Sequence, residues 1–320
     1  MAYDGPTLVD ASPKTFLFVG LAAIGAAFVA GWARALVRER SLRTAVSAGG
    51  SGSPGDAPEP ISPSATHLAI GFVTNFFDTL GIGSYAPTTS LFRLRSLVPD
   101  RLIPGTLNVG HTLPSFAEAF IFIAIVEVDM TTLVAMLAAS AAGSWVGAGI
   151  VTRWPERKIQ VGMSVALFAA ATLMVLSLAG VAPAGGTALG LSGGALVVAV
   201  AGNFVFGALM NLGIGLFAPC MILLYLLGVH PKAAFPIMMG SCAVLMPVAS
   251  ARFIENGRYS PRAALGLTLG GLPAVLIAAF LVKSLPLRAV RWLVVFVVVY
   301  TAVGLYRASR RGRRGEAART

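Results

Sequence analysis

Four polar side chains in an apolar segment have the spacing of a proton path. Asn108, His111, Ser115 and Glu118 follow one another at intervals of three, four and three residues, which places them on one face of a helix. A carboxylic acid and an imidazole exchange protons, and ionisable groups inside a membrane usually serve the movement of ions or protons. The pattern therefore predicts proton coupling through His111 and Glu118, and a polar seam that bonds neighbouring helices is the alternative.

A glycine-rich octapeptide occurs twice in the chain. LGIGSYAP at 80–87 returns 132 residues later as LGIGLFAP at 212–219, and each copy lies between apolar runs. Glycine permits a tight turn, and proline fits the first turn of a new helix. Each copy therefore predicts a helix that breaks in apolar surroundings and starts again, with free backbone N–H groups that can bind an anion.

We expect a small anion to bind between the two turns, held by residues that are polar or lie in the turns. The expected substrate contacts are Asn75, Thr79, Gly81, Gly83, Ser84, Asn203, Asn211, Gly213 and Gly215. For any single amide or hydroxyl among them, bracing the broken backbone is the alternative role. Candidate lining residues beside them are Asn108, Ser115, Ser241 and Cys242.

An acidic residue precedes the first turn. Asp78 is expected to be protonated, to cap exposed backbone, or to act with His111 and Glu118 in proton coupling. The second half has Gly240, Ala243, Pro247 and Ser250 where the first has its four polar residues. Proton coupling is therefore expected in the first half alone.

The composition that must position these residues is that of a membrane protein. Of the 320 residues, 56% are hydrophobic and only 12% are charged, against about a quarter charged in soluble domains. Apolar runs recur at the length of about 20 residues that crosses a bilayer. This pattern predicts an all-α polytopic protein, because the short alternating segments of a membrane β-barrel are absent.

The octapeptide repeat divides the chain into two halves with extra segments at both ends. We predict two inverted repeats, each a broken or re-entrant Gly-rich helical hairpin plus three transmembrane helices, with one extra N-terminal helix. The expected divisions are an anchor helix with a basic flank at 1–46, a flexible linker at 47–65, repeats at 66–181 and 182–306, and a basic tail at 307–320.

The distribution of basic residues favours hairpins over kinked spanning helices. If each broken segment returns to the face it came from, 19 of the 24 Lys and Arg residues lie on the side of the tail; if each crosses once, 13 do. Basic loops remain cytoplasmic, so we predict a multi-pass protein of the cell (inner) membrane with a cytoplasmic tail. The net charge of +11 is accordingly attributed to contacts with the lipid bilayer, and no nucleic-acid partner is expected.

Two other classes of protein stay open. Residues 190–193 read GLSG, which is reminiscent of intramembrane serine proteases of the rhomboid type, and His230 lies downstream. Such short motifs have a high false-positive rate. A membrane assembly protein is the other alternative, and a homo-oligomer is left open. No metal, cofactor or enzymatic activity is expected, and the chain has no GxxxxGK[ST] nucleotide motif.

Three stretches resemble the sulfite exporter TauE/SafE family of membrane permeases. They are GFVTNFFDTLGIGSYAPTTSLF at 71–92, IPGTLNVGHTLPSF at 103–116 and GNFVFGALMNLGIGLFAPCMILLYLLGVHPKAAFPIMMGSCA at 202–243. The resemblance covers residues 66–306. It implies a secondary transporter, an exporter or permease, for a small anion such as sulfite, a sulfonate or another organosulfur compound. The residues themselves indicate only a small anion.

Overall fold

The computed structural model describes residues 13–48, 61–181, 185–213 and 215–281, with scattered positions between 292 and 307. These ranges contain ten α-helices and no strand. The helices are α1 (Pro13–Ala48), α2 (Ala65–Thr79), α3 (Tyr85–Leu94), α4 (Ile103–Ile125), α5 (Met130–Val151), α6 (Glu156–Leu178), α7 (Gly193–Met210), α8 (Phe217–Leu226), α9 (Pro231–Glu255) and α10 (Pro261–Leu281).

Seven of the described helices are long and apolar enough to cross a membrane. They are α1, α4, α5, α6, α7, α9 and α10. Helices α2, α3 and α8 are shorter, with 15, 10 and 10 residues. The prediction of an all-α, multi-pass membrane protein is therefore confirmed.

The divisions at the N-terminal end differ slightly from the prediction. Helix α1 continues to Ala48, two residues into the predicted linker at 47–65, and α2 begins at Ala65. Most of that linker and nearly all of the predicted tail at 307–320 lie outside the described residues.

Both octapeptides form tight turns that reverse the chain. Gly81 and Gly83 have φ angles of 78° and 89°, and their counterparts Gly213 and Gly215 have 89° and 73°. Backbone in this region is strained for any residue with a Cβ, so glycine is required. After the first turn, α3 returns along α2, and the rings of His67 and Phe92 lie 6.3 Å apart between centroids.

The second turn also produces a helical hairpin. Gly202 in α7 packs directly on Leu223 in α8. Ala188, before α7, pairs with the backbone around Val229, after α8. The two ends of this hairpin therefore lie side by side, at the same end of the bundle.

Each hairpin packs on a helix from the other half of the chain. Helix α2 lies along α10, where Gly71 leaves no room for a Cβ against Leu267. Helix α7 lies along α5, where Asn203 Nδ2 donates to Met136 O at 2.7 Å and Gly207 touches the Ser140 carbonyl. Residue numbers rise together in both pairs, so the paired helices are parallel.

Helices α4 and α9 cross the centre of the bundle in opposite directions. Gly105 packs on Phe253, the hydroxyls of Thr112 and Ser250 lie 3.4 Å apart, and Ile123 touches Gly240. Each central helix also packs parallel to one helix of the other half. Ser140 and Ser144 of α5 donate to the carbonyls of Ser241 and Leu245 in α9 at 3.4 and 3.1 Å. Thr268 of α10 donates to Gly110 O in α4 at 2.8 Å.

The remaining helices lie at the edge. Helix α1 packs on α4 through stacked rings of Phe18 and Phe120, 5.5 Å apart. Helix α6 is fixed near its start, where Gln160 Nε2 donates to Asp100 Oδ2 at 2.9 Å and the same carboxylate pairs with Arg93. Further along α6, Ser164 Oγ donates to Ala302 O at 2.8 Å.

Candidate functional site

A cavity of about 80 Å³ lies between the two turns. A water molecule needs roughly 10–15 Å³ of cavity volume, so the cavity has room for a small polyatomic ion. Six of the predicted site residues line it: Asp78, Gly81, Gly83, Ser84, Gly215 and Cys242. Residues of both turns therefore line one space.

The N-terminal ends of two half-helices face this cavity. Its lining includes Ser84 to Ala86 at the start of α3 and Leu216 to Ala218 at the start of α8. The first N–H groups of a helix have no partner within it. Pro87 and Pro219 follow at equivalent positions and contribute no N–H.

The two ends differ in what lies beside them. At the first, the carboxyl group of Asp78 lies beside the backbone N–H and the hydroxyl of Ser84. In the second half, 132 residues on, Met210 and Leu216 occupy the positions of Asp78 and Ser84. The α8 end therefore has no carboxylate cap from the corresponding position, and the cavity is chemically asymmetric.

Glu118 lies behind the first turn without lining the cavity. Its side chain is fully buried; Oε1 accepts a hydrogen bond from Thr79 Oγ1 at 2.8 Å, whereas Oε2 has no partner. It is close enough to Asp78 for the two carboxyl groups to interact electrostatically. No Lys or Arg is among the described residues that line the cavity, so nothing there offsets a second negative charge.

His111 joins three helices through neutral partners. Its Nδ1 lies 2.9 Å from Asn75 Oδ1, and its Nε2 lies 3.1 Å from Thr88 Oγ1. Because Asn75 Nδ2 donates to Gly71 O at 2.7 Å, the amide oxygen is left to accept from Nδ1–H. The imidazole then connects α2, α3 and α4 beside the cavity.

The other predicted residues lie away from the cavity lining and bond mostly to backbone. Asn203 Nδ2 also donates to Ser241 Oγ at 3.0 Å, and Asn211 Nδ2 donates to Ser144 O at 3.2 Å. Asn108 Nδ2 donates to Pro104 O at 2.9 Å, while the hydroxyl of Ser115 is buried without a partner. Gly213 faces Thr89, with Thr89 Oγ1 3.7 Å from where its Cβ would stand.

The predicted site residues leave out one polar residue and one wall of the cavity. Tyr85 lines the cavity, is 2% exposed, and its hydroxyl has no hydrogen-bond partner. It lies within the repeated octapeptide, where its difference from Phe217 was the available signal. One wall comes from α6, around Met174 and Ser177, and an apolar helix far away in sequence carries no signal of that role.

The protease-like motif lies at the surface end of α7. Ser192 is exposed at the N-cap of α7, and His230 Nδ1 accepts a hydrogen bond from Lys232 N at 3.1 Å. In the neutral imidazole this leaves the proton on Nε2, which is then a donor and cannot accept a serine proton. Gly190 packs on Asp129, whose carboxylate accepts from Thr132 N and Thr132 Oγ1, both at 2.7 Å.

Comparison with known proteins identifies no relative. No family model, no curated protein and no solved structure matches this chain. Among the described residues, no cluster of three or more His, Cys, Asp or Glu side chains is arranged to hold a metal ion.

Proposed function

We propose that the protein is a secondary transporter that carries a small anion by alternating access around the paired turns. The observation that carries this proposal is the cavity lined by Gly81 and Gly83 from one turn and Gly215 from the other. Two helix N-terminal ends meet there, and such ends favour negative charge through their free N–H groups and their dipole. Irregular backbone at membrane depth is tolerated where it lines a cavity.

The two halves are proposed to be inverted repeats with re-entrant hairpins. This reading is supported by helix direction: α2 and α10 run parallel to α4, whereas α5 and α7 run parallel to α9, and α4 opposes α9. Each helix of one half would then oppose its counterpart in the other. The same arrangement puts 19 of 24 basic residues on one face, which favours a cytoplasmic tail in the cell membrane.

Two carboxyl groups are proposed to couple transport to protons. Asp78 borders the cavity, and Glu118 lies behind it with one oxygen free of any partner. Buried ionisable groups of this kind mark proton paths in transporters. His111 is then the residue that positions α3 against α4, through its bonds to Asn75 and Thr88.

The resemblance to the TauE/SafE family narrows the proposed substrate. It suggests sulfite, a sulfonate or another organosulfur anion. The cavity itself supports only a small anion, held by backbone N–H groups and the hydroxyls of Ser84 and Tyr85.

The test is uptake by purified protein in proteoliposomes with an imposed pH gradient. The panel contains sulfite, sulfate, thiosulfate, sulfoacetate, methanesulfonate and acetate. We expect saturable uptake of at least one anion by the wild type. Gly83→Leu and Gly215→Leu should each reduce the uptake more than tenfold, because a residue with a Cβ is strained in the backbone conformation of these turns.

Gly149→Leu is the matched control, because Gly149 lies in α5 with open space beside it and should tolerate the side chain. Normal transport by both turn variants, or no uptake of any panel anion by the wild type, would contradict the proposed function.

A further inference from the structure

The N-terminal end of α3 faces an acidic side chain of the protein itself. The carboxyl group of Asp78 lies beside the N–H and the hydroxyl of Ser84, and both residues line the cavity. A helix N-terminus stabilises a carboxylate in the same way as it stabilises a free anion. When Asp78 is ionised, its carboxylate therefore occupies the place that an anion would take at the first turn.

The N-terminal end of α8 and the hydroxyl of Tyr85 remain available to an anion. Helix α8 starts with Leu216, Phe217 and Ala218 at the cavity, and no acidic residue stands at the position equivalent to Asp78. Tyr85 is an independent sign of a binding site. Its hydroxyl is unpartnered, the side chain is 2% exposed, and it lies close enough to Asp78 and Cys242 for electrostatic interaction. An unpartnered buried donor costs free energy unless something accepts from it.

We infer that Asp78 and the transported anion compete for the first turn, so that the anion binds only together with a proton on Asp78. The inference rests on the proposed transport function and adds that protonation of Asp78 controls binding of the anion. A protonated Asp78 no longer repels the anion, which then binds to the N–H of Ser84 together with Tyr85 and the α8 end.

Other titratable groups near Asp78 do not supply a positive charge to replace this proton. They are Tyr85 from α3, Glu118 from α4 and Cys242 from α9. His111 from α4 lies behind Tyr85, 5.8 Å away between ring centroids, and both of its ring nitrogens contact neutral partners, Asn75 and Thr88. The described lining from α6 and from the second turn contains no titratable side chain. Glu118 is close enough to Asp78 for electrostatic interaction and keeps one oxygen without a partner.

The same features select the charge and shape of the substrate. The proton neutralises Asp78, so a monoanion replaces the charge of the ionised carboxylate without adding to it, in a cavity whose described lining has no basic residue. The walls include Met174, Met210, Met221 and Met246, whose flexible thioether side chains adapt to small apolar groups. The substrate class is therefore a monoanion with a short apolar part, and one proton accompanies each anion.

The experiment measures equilibrium binding of methanesulfonate, whose charge is constant from pH 5 to pH 9. For the wild type we expect affinity to fall by about tenfold per pH unit above a midpoint, as binding linked to one proton requires. Asp78→Asn should bind with the low-pH affinity throughout, within about twofold. It should also lose accumulation driven by a pH gradient while still exchanging internal for external anion.

A second pair of variants decides the matter if Asp78→Asn does not fold. Ser84→Ala removes the hydroxyl that lies beside the carboxylate and stabilises its ionised form, so the midpoint should move to higher pH, by about half a unit or more. Ser90→Ala is the control, because Ser90 lies in the same helix, is buried and unpartnered, and is not a lining residue.

Each outcome bears on a different claim. A wild type that binds no panel anion overturns the transport function and this inference together. A wild type that binds methanesulfonate independently of pH, or an Asp78→Asn protein that keeps the wild-type pH dependence, overturns the inference alone. A folded Asp78→Asn protein that binds no anion also overturns it, since the Asp78 side chain would then be required for binding and would not compete with the anion.

Discussion

At the scale of single residues, the buried amides mainly hold backbone. Asn75, Asn203 and Asn211 each donate Nδ2 to a main-chain carbonyl, at 2.7, 2.7 and 3.2 Å. In an apolar interior such a bond removes the cost of leaving the side-chain amide N–H unpaired. The residues left to meet a ligand are those with unpartnered donors at the cavity, and Tyr85 is the clearest of them.

Asp129 shows a structural carboxylate at the edge of the bundle. It caps α5, and hydrogen bonds from the Thr132 hydroxyl and backbone N–H hold the pKa of its carboxyl below the usual range. A lowered folded-state pKa adds stability that is complete above the ordinary value of about 3.9 and is lost as the pH falls through the lower one.

We therefore predict that Asp129→Ala lowers stability by about 1 kcal/mol at pH 7, the usual effect of losing an N-cap. Asp129→Asn, which keeps the capping oxygen, should lose only a few tenths of this. Thermal unfolding in detergent at pH 7 and pH 3 measures both. The gap between wild type and Asp129→Ala should narrow at pH 3, and a gap that widens there would refute the assigned role.

Residue roles were only partly accessible from sequence. All four turn glycines have the positive φ angles that the repeated GIG predicts, because that requirement is local. The bonds of Asn203 and Asn211 are to Met136 and Ser144, each 67 residues away. Nothing near them in sequence distinguishes an amide that binds a carbonyl from one that binds a substrate.

At the scale of elements, glycines set how closely the hairpins approach their supports. In α5, Gly143 and Gly147 leave no room for a Cβ against the backbone of Phe204 and Ala208 in α7. Such close approach lets dispersion and backbone contacts hold membrane helices together, since lipid supplies no hydrophobic drive between them. A methyl group at this interface must push the two helices apart.

We predict that Gly143→Ala destabilises the protein by about 1–3 kcal/mol, the usual cost of overpacking. Gly149→Ala, in the same helix with nothing within 4 Å, should leave stability unchanged or slightly raised. The midpoint of thermal unfolding in a mild detergent measures both. Equal midpoints for the two variants would show that α5 and α7 do not depend on this contact.

Helix bounds were more predictable than helix partners. The apolar run at 130–151 coincides with α5, whereas the run at 188–227 splits into α7 and α8 at the second turn. Hydrophobic periodicity and glycine breaks are local signals and fix such limits. The packing of α2 on α10 depends on two glycine-rich helix faces that are far apart in the sequence. No single stretch of sequence therefore predicts this contact.

At the scale of the whole molecule, the hairpins decide which loops share a face. Arg101, before α4, and Glu255, at the end of α9, lie at the same end of the antiparallel central pair. Glu127, after α4, and Lys232, at the start of α9, lie at the other end. Kinked spanning helices would instead put Arg101 and Glu255 on opposite faces.

We predict that Arg101→Cys and Glu255→Cys are labelled from the same side of sealed membrane vesicles by an impermeant maleimide. Glu127→Cys and Lys232→Cys should be labelled only from the other side. The wild type is the blank, because Cys220 and Cys242 are both buried. Labelling of Arg101→Cys and Glu255→Cys from opposite sides would rule out the hairpin arrangement.

The exchange of partners between the halves also constrains the order of biosynthesis. Helix α2 is made early, but the helix on which it packs, α10, follows only after α3 to α9. Until then, the close-packing face around Gly71 has no partner and must wait in the membrane or at the insertion machinery. The mature bundle can therefore close only late in translation, and a truncated chain lacking α10 should be a substrate for membrane quality control.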